Sequence, residues 1–479
     1  MPEQYPLMVP GASSASADIE VRAPYDDALI ATAATTDEAA AETALATAYG
    51  LFRNRDAWLA PWQRVDILER TIEIMTERAD YLALESAREG GKPLADSQHE
   101  VSRAIDGVKL CVEALRNQAG TEIPMNISRS SANRLAFTTH EPIGVVVAVS
   151  AFNHPLNLII HQVGPAIAAG CPVIVKPAEI TPLSCLRFVQ ILREAGLPDE
   201  WCQPVIPAEM SIATKLVTDP RTAFFSFIGS ARVGWMLRGQ LAPGARCALE
   251  HGGVAPVIVA ADADLDANMA GIAKGGFYHA GQVCVSVQRV FADRSIAEDV
   301  GARLAELAGK MVVGDPTKAD TEVGPLIRHG EADRVEEWVQ EAVDGGAKVL
   351  TGGKRISASC YPPTVLYDPP ADAKVSTGEV FGPVVCVYPV DSLDEAVTRA
   401  NSLDVAFQAA VLTRDIDTAL RIQRRLDASA VMVNDHTAFR VDWMPFAGLR
   451  HSGHGVGGIH HTVEEMQIQK MLVFRSAEL

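Results

Sequence analysis

The chain has 479 residues, about three domains' worth at roughly 150 residues each, and 48% of them are apolar, which excludes a disordered or low-complexity protein. Lys and Arg number 42 against 60 Asp and Glu, and the net charge of −18 works against nucleic acid or an anionic membrane surface as a partner. Eight cysteines, at 111, 171, 185, 202, 247, 284, 360 and 386, lie far apart with no CxxC pair, so neither a disulfide scaffold nor a metal site is expected.

Residues 1–11 carry no Lys or Arg and no apolar core of signal-peptide length, and the first basic residue is Arg22, so a cytoplasmic location is expected. Apolar residues then recur at helical spacing over 38–49, 62–84 and 94–118, with Gly90, Gly91 and Pro93 as punctuation. Past residue 121 the character changes, because 144–150, 172–176 and 224–228 are short β-branched or aromatic runs separated by helical patterns. Strands alternating with helices predict a parallel sheet. The alternation continues through 255–260, 384–390 and 431–434, which predicts a second α/β unit with a boundary near 249–253. The longest nearly apolar run, 143–152, is about half of the roughly 20 residues that a membrane-spanning helix needs, so no membrane span is expected.

The run FSFIGSARVGW at 225–235 is an apolar strand, then Gly229 and Ser230, then a helical pattern containing Gly234. Amides at such a helix start point at phosphate, and glycine lets a pyrophosphate approach. A tight strand-to-helix turn without a ligand has the same sequence, and the Lys-Ser/Thr of a triphosphate loop is missing. A GxGxxG pattern occurs at Gly453, Gly455 and Gly458, but no strand precedes it, so it reads as a loop and not as a cofactor site. In VIVKPAE at 173–179 a buried run ends in Lys176 and Glu179, placed either to hydrogen-bond ribose hydroxyls or to pair with each other. Cys284 stands between small residues and an apolar strand, where a thiolate attacks carbonyls and a packed thiol is inert. Glu250, followed by His251 and two glycines, is either a carboxylate free to activate water or an ordinary strand-end acid. Asn153 ends a buried strand and either offers its amide to an oxyanion or caps a turn.

Taken in order, FNHP at 152–155, KPAE at 176–179, FIGS at 227–230 with Gly234, Glu250 with its glycines, GQVC at 281–284, EVFGP at 379–383 and PFAG at 445–448 resemble the motif set of the aldehyde dehydrogenase superfamily. The resemblance spans about 25–473. It implies an aldehyde dehydrogenase-like α/β fold of two Rossmann-like parallel units with a small β oligomerisation arm. The dinucleotide-binding domain would cover 1–118 and 137–250, the catalytic domain 251–465, and the arm 119–136 and 466–479. Cys284 would be the nucleophile, Asn153 with the Cys284 amide the oxyanion site, and Glu250 the base that activates water to hydrolyse a thioester. Lys176 and Glu179 would hold the adenosine ribose, Gly229, Ser230 and Gly234 the pyrophosphate segment, and Glu379 with Phe381 the nicotinamide ribose. A carboxylate at Glu179 accepts from a free 2′-hydroxyl and repels a 2′-phosphate, so NAD is favoured, with NADP left open by Lys176. Gly457 falls where some relatives carry a second glutamate, so no second base is assigned.

Where many relatives have apolar tunnel residues, this chain places Arg103, His154, His161 and Arg440, with Val283 and Val285 beside Cys284. Guanidiniums and imidazoles there suit an anionic tail, unless Arg103 and Arg440 pair with Asp106 or Asp442. NDHTAFRVDWMPF at 434–446 resembles the branch that handles lactaldehyde, glyceraldehyde 3-phosphate and phosphonoacetaldehyde. The expected substrate is a small aldehyde with a phosphonate, phosphate, sulfonate or carboxylate tail, phosphonoacetaldehyde first and lactaldehyde possible. The expected assembly is a homodimer or homotetramer. Two alternatives are a CoA-acylating dehydrogenase, which commonly lacks the base at Glu250, and an NAD-binding structural protein without turnover.

Overall fold

Short β-branched runs alternating with amphipathic helices give two parallel sheets. The computed structural model describes residues 2–13 and 17–479. In the first sheet the strands lie in the order Gly453–His454, Arg246–Glu250, Thr222–Ile228, Val145–Val149, Val173–Lys176 and Cys202–Pro204, parallel except for the first pair. The second runs Lys348–Thr351, Thr364–Tyr367, Val384–Val390, Arg289–Asp293, Pro256–Val259, Gln408–Leu412 and Ala430–Val433, antiparallel only at its first pair. Helices cover both faces, which is why the central strands read as unbroken apolar runs such as VVVAV and VVCVYPV. Around the first sheet pack α1 (Glu38–Arg53), α2 (Pro61–Glu77), α3 (Ala79–Gly90), α4 (Leu94–Arg116), α5 (Asn157–Ala169) and α6 (Leu183–Glu194).

Three expectations need correction. The single helix read over 62–84 is two, because Arg78 leaves helical geometry (φ −107°, ψ 14°) and turns its side chain to Glu194, 2.8 Å away. No Gly or Pro marks that break. Gln467–Arg475, Arg134–Pro142 and Glu122–Ile123 form an antiparallel sheet, and the middle strand pairs along its whole length with the C-terminal one. Its pairing carries the arm past the expected limit at 136 to Pro142. The GxGxxG segment is only partly loop, since Gly453–His454 is the edge strand of the first sheet and Gly458, at φ 103°, starts the helix Ile459–Glu465.

The starts of α5 and α6 explain where buried charge goes. Their flanking residues are Leu156 and Pro182, which offer no side-chain cap. Carboxylates from neighbouring helices satisfy the free amides instead. Glu100 Oε1 accepts from the N–H groups of Leu156 at 3.0 Å and Asn157 at 2.9 Å. Glu89 accepts from those of Leu183 and Ser184, each at 2.8 Å. The second Glu100 oxygen lies 2.5 Å from Lys92 Nζ, with both side chains 1% exposed. Burial pulls the Lys92 amine below its ordinary range, and Glu100 opposes that shift. Removing one partner strands the other in the core. Glu100→Ala is expected to lower stability by about 3–5 kcal/mol in thermal unfolding, whereas the pair Lys92→Met with Glu100→Gln recovers much of that loss.

Candidate active site

In open parallel sheets ligands bind beyond the C-terminal ends of the strands. Here a cavity of about 490 Å³ opens beyond Val149, Lys176, Ile228 and Glu250, the ends of four strands of the first sheet, and the cysteine turn closes its other side. Asn153, Lys176, Glu179, Gly229, Ser230, Glu250, Cys284, Glu379 and Phe381 line it, as do Arg103, His154, His161 and Arg440. Gly234 does not. A Cβ there would lie 2.1 Å from His251 Cε1, so the glycine admits the His251 ring.

Cys284 sits just after an unusual turn. After the helix Leu265–Phe277, the residues His279 (φ 49°), Ala280 (φ 53°) and Gly281 (φ 68°) are all left-handed. A Cβ on Gly281 would meet Gly382 O at 2.2 Å, which requires glycine. Left-handed non-glycine backbone costs about 1–3 kcal/mol per residue and persists only where neighbours fix it. Gln282 does so: its Nε2 donates to the carbonyls of His279 and Pro325, each at 3.3 Å, and its Oε1 accepts from Ile327 N–H at 2.9 Å. Thr437 Oγ1 donates to Val285 O at 2.7 Å from the other side. Asn153 Nδ2 donates to Gln282 O at 2.9 Å, which brings its amide beside Cys284 and leaves a second N–H to give.

Desolvation dominates the titratable groups. Burial pushes the Cys284 thiol up to about 12, with Glu379 and Glu250 adding to the rise and Arg440 opposing it. The same effect pushes Glu250 up to about 7, again opposed by Arg440. A Cβ at Gly457 would fall 2.2 Å from Glu250 Oε1, so the glycine makes room for the carboxylate.

The residues on the dinucleotide side fit such a cofactor. Glu379 Oε1 is buried with no hydrogen-bond partner, and its carboxyl, pushed up to about 8 by burial, fills the space a Gly252 Cβ would take, 1.8 Å from Oε1. An orphan acceptor of this kind is satisfied by a ribose hydroxyl. Gln288 holds the Glu379 loop, donating to the carbonyls of Val375 (2.9 Å) and Gly378 (2.8 Å) and accepting from Val380 N–H (3.0 Å). Lys176 Nζ and Glu179 Oε1 are 2.9 Å apart, the lysine buried and the glutamate 42% exposed. The helix Ala231–Arg238 starts after Ser230 with no side-chain cap, leaving its first amides for a phosphate.

The expected anion-binding quartet is not uniform. Arg103 donates through Nε (3.0 Å) and Nη2 (2.7 Å) to Asp442, and His161 Nε2 lies 2.7 Å from the same carboxylate. Burial opposes charge on Asp442, but the His161 and Arg103 contacts reverse it and hold the carboxyl well below its usual range. Burial keeps His161 below its ordinary range and His154, edge-on to His279 at 6.2 Å, well below it. Arg440 has no carboxylate partner among the described residues. Its Nη1 donates to Met444 O at 3.2 Å and its guanidinium lies 4.0 Å over the Phe446 ring. Burial pulls it down to about 10, so it stays a cation at neutral pH.

Gln282, Gln288, Glu100 and Lys92 support the site without having been singled out by sequence reasoning. Two glutamines flanking Cys284 in an otherwise apolar segment were the available signal for the first two. Among the described residues no cluster of His, Cys, Asp or Glu is arranged to hold a metal ion, and no helix is long and apolar enough to cross a membrane.

Comparison with known proteins agrees with this geometry. The aldehyde dehydrogenase family model matches residues 11–472. A 3-sulfolactaldehyde dehydrogenase of Priestia megaterium is 37% identical over 472 residues, spanning 98% of each chain. The solved structure of aldehyde dehydrogenase 21 from Physcomitrella patens, in complex with the reaction product succinate, superposes with a TM-score of 0.94 at 32% identity, covering 100% of this chain and 99% of that one. Glyceraldehyde-3-phosphate dehydrogenase from Methanocaldococcus jannaschii, complexed with NADP, gives a TM-score of 0.90 at 33% identity, covering 96% and 99%.

Gly457→Ala tests the placement of the Glu250 carboxylate. Steady-state kinetics on any accepted aldehyde should show kcat reduced at least about tenfold with a much smaller change in KM, because a displacement near 1 Å in a positioned group is enough.

Proposed function

Because the chain belongs to the aldehyde dehydrogenase family, we propose that it oxidises a short aldehyde with an anionic tail to the carboxylic acid, using NAD(P). One observation carries this reading: a single cavity joins Cys284, Asn153 and Glu250 to Arg440, a half-buried guanidinium without a carboxylate partner among the described residues. Relatives named for 3-sulfolactaldehyde and glyceraldehyde 3-phosphate, and one holding succinate, support an anionic tail. Phosphonate, sulfonate and carboxylate tails all belong to the class.

Cys284 gives up its thiol proton to water as its Sγ adds to the aldehyde carbon, and the resulting oxyanion accepts hydrogen bonds from Asn153 Nδ2 and the Cys284 N–H. When bound, NAD(P)⁺ supplies the two-electron oxidation that turns this adduct into a thioester. Glu250, with a proton affinity near neutrality, takes a proton from water as its oxygen attacks the thioester carbon. The C–S bond breaks, and Glu250 passes that proton to the leaving sulfur, which restores both the thiol and the carboxylate. Glu379 would hold the nicotinamide ribose, Lys176 and Glu179 the adenosine ribose, and the amides after Gly229 and Ser230 the pyrophosphate. The exposed carboxylate of Glu179 favours NAD, and Lys176 beside it keeps NADP within reach. Met471, Leu472, Val473 and Phe474, open to solvent on the arm sheet, support assembly as a homodimer or homotetramer.

Cys284→Ala should abolish NAD(P)H formation on every accepted aldehyde; retained turnover overturns the mechanism. In the wild type, kcat should fall as pH drops through about 7, where Glu250 takes up its proton and ceases to be a base. Glu250→Gln should give a single burst of NAD(P)H with little turnover and no such limb. A panel of propanal and anionic aldehydes tests the tail. Arg440→Ala should lower kcat/KM for the anionic members by about 30-fold or more and for propanal by less than about threefold.

A further inference from the structure

The tail end of the cavity carries a fixed balance of charge. Arg103 and Arg440 are cations, Asp442 is a carboxylate, and burial keeps His154 and His161 neutral, so two guanidiniums against one carboxylate leave a single net positive charge. The groups packed around them do not raise it. Lys92 and Glu100 are 2.5 Å apart and Lys274 and Asp96 2.7 Å apart, each pair cancelling, while burial holds His99 below its ordinary range and keeps Tyr278 a phenol. Glu250, when ionised, lowers the balance further.

Asp442 is built into place. It is 2% exposed, receives two bonds from Arg103 and one from His161, has Asn157 Nδ2 at 3.4 Å, and lies two residues from Arg440 in the same segment. We infer that Asp442 limits the substrate tail to one negative charge, so that the cavity takes a sulfonate or carboxylate and discriminates against a dianionic phosphonate or phosphate. A monoanion neutralises this end of the cavity. A dianion leaves one charge uncompensated where water is scarce. A phosphate monoester carries about −1.5 to −2 at pH 7, and an alkyl phosphonate is dianionic in mildly alkaline solution. The inference rests on the tail recognition proposed above and reorders it, placing sulfonate and carboxylate ahead of the phosphonate put first on sequence.

Sulfoacetaldehyde and phosphonoacetaldehyde are matched in length and in tetrahedral tail geometry and differ, in mildly alkaline buffer, by one charge. With propanal as the uncharged reference, wild-type kcat/KM should favour sulfoacetaldehyde over phosphonoacetaldehyde by at least about tenfold. Asp442→Asn keeps an oxygen for Arg103 to donate to. In that variant the ratio should shrink at least about fivefold. Equal use of the two anionic aldehydes by the wild type, both above propanal, overturns this inference and leaves tail recognition standing. If neither exceeds propanal, both fall. An unchanged ratio in folded Asp442→Asn also overturns it, and if that variant does not fold, the wild-type ratio decides alone.

Discussion

Glu100 is the point on which several parts of the site converge. One oxygen holds the first amides of α5, just after the turn that carries Asn153 and His154, and the other meets Lys92. From α5, Asn157 and His161 then reach across to Asp442, which fixes Arg103. The Asn153 amide and the Arg103 guanidinium therefore share one buried anchor, although they arise from different elements. A buried ion pair is a poor source of stability by itself. Its use here is positional: it sets the direction in which α5 enters the core.

Desolvation acts on the cavity groups in one sense, toward their neutral forms: Cys284 about 12, Glu250 about 7, Glu379 about 8, Arg440 about 10. The price of excluding water is a thiol that resists ionisation, and the gain is that each remaining charge acts at low dielectric. The acidity of the whole chain, −18, has little bearing on such a site. Surface charge is screened beyond about 8–10 Å, whereas Arg440 and Arg103 line the cavity, with Asp442 paired to Arg103 behind it.

Much of the architecture was legible in the sequence because burial on both faces leaves its mark as uninterrupted apolar runs, and Val145–Val149 and Val384–Val390 appear where 144–150 and 384–390 predict them. The residues that line the cavity were legible for another reason: ordered motifs tie Asn153, Glu250, Cys284 and Glu379 to one another across the chain. What escaped was local geometry without a compositional signal. The break at Arg78 has no Gly or Pro, and the caps of α5 and α6 come from Glu100 and Glu89 on other helices. The partner of Arg103 was an open choice between Asp106 and Asp442, and only three-dimensional packing decides for Asp442. The fit of Gly234 against His251 was likewise not legible, because a glycine that admits an imidazole looks the same in sequence as one that admits a phosphate.

The edge strand Gly453–His454 closes the first sheet beside Arg246–Glu250, and Gln467–Arg475 completes the arm against Arg134–Pro142. Both partners precede the second unit in the chain, and both completing strands follow it. N-terminal units commonly fold while the remainder is still being synthesised. This one cannot finish until the segment that follows the second unit has been made. Until then the outer strand Arg246–Glu250 exposes an unpaired edge, and the time needed to synthesise the second unit sets how long that edge stays open.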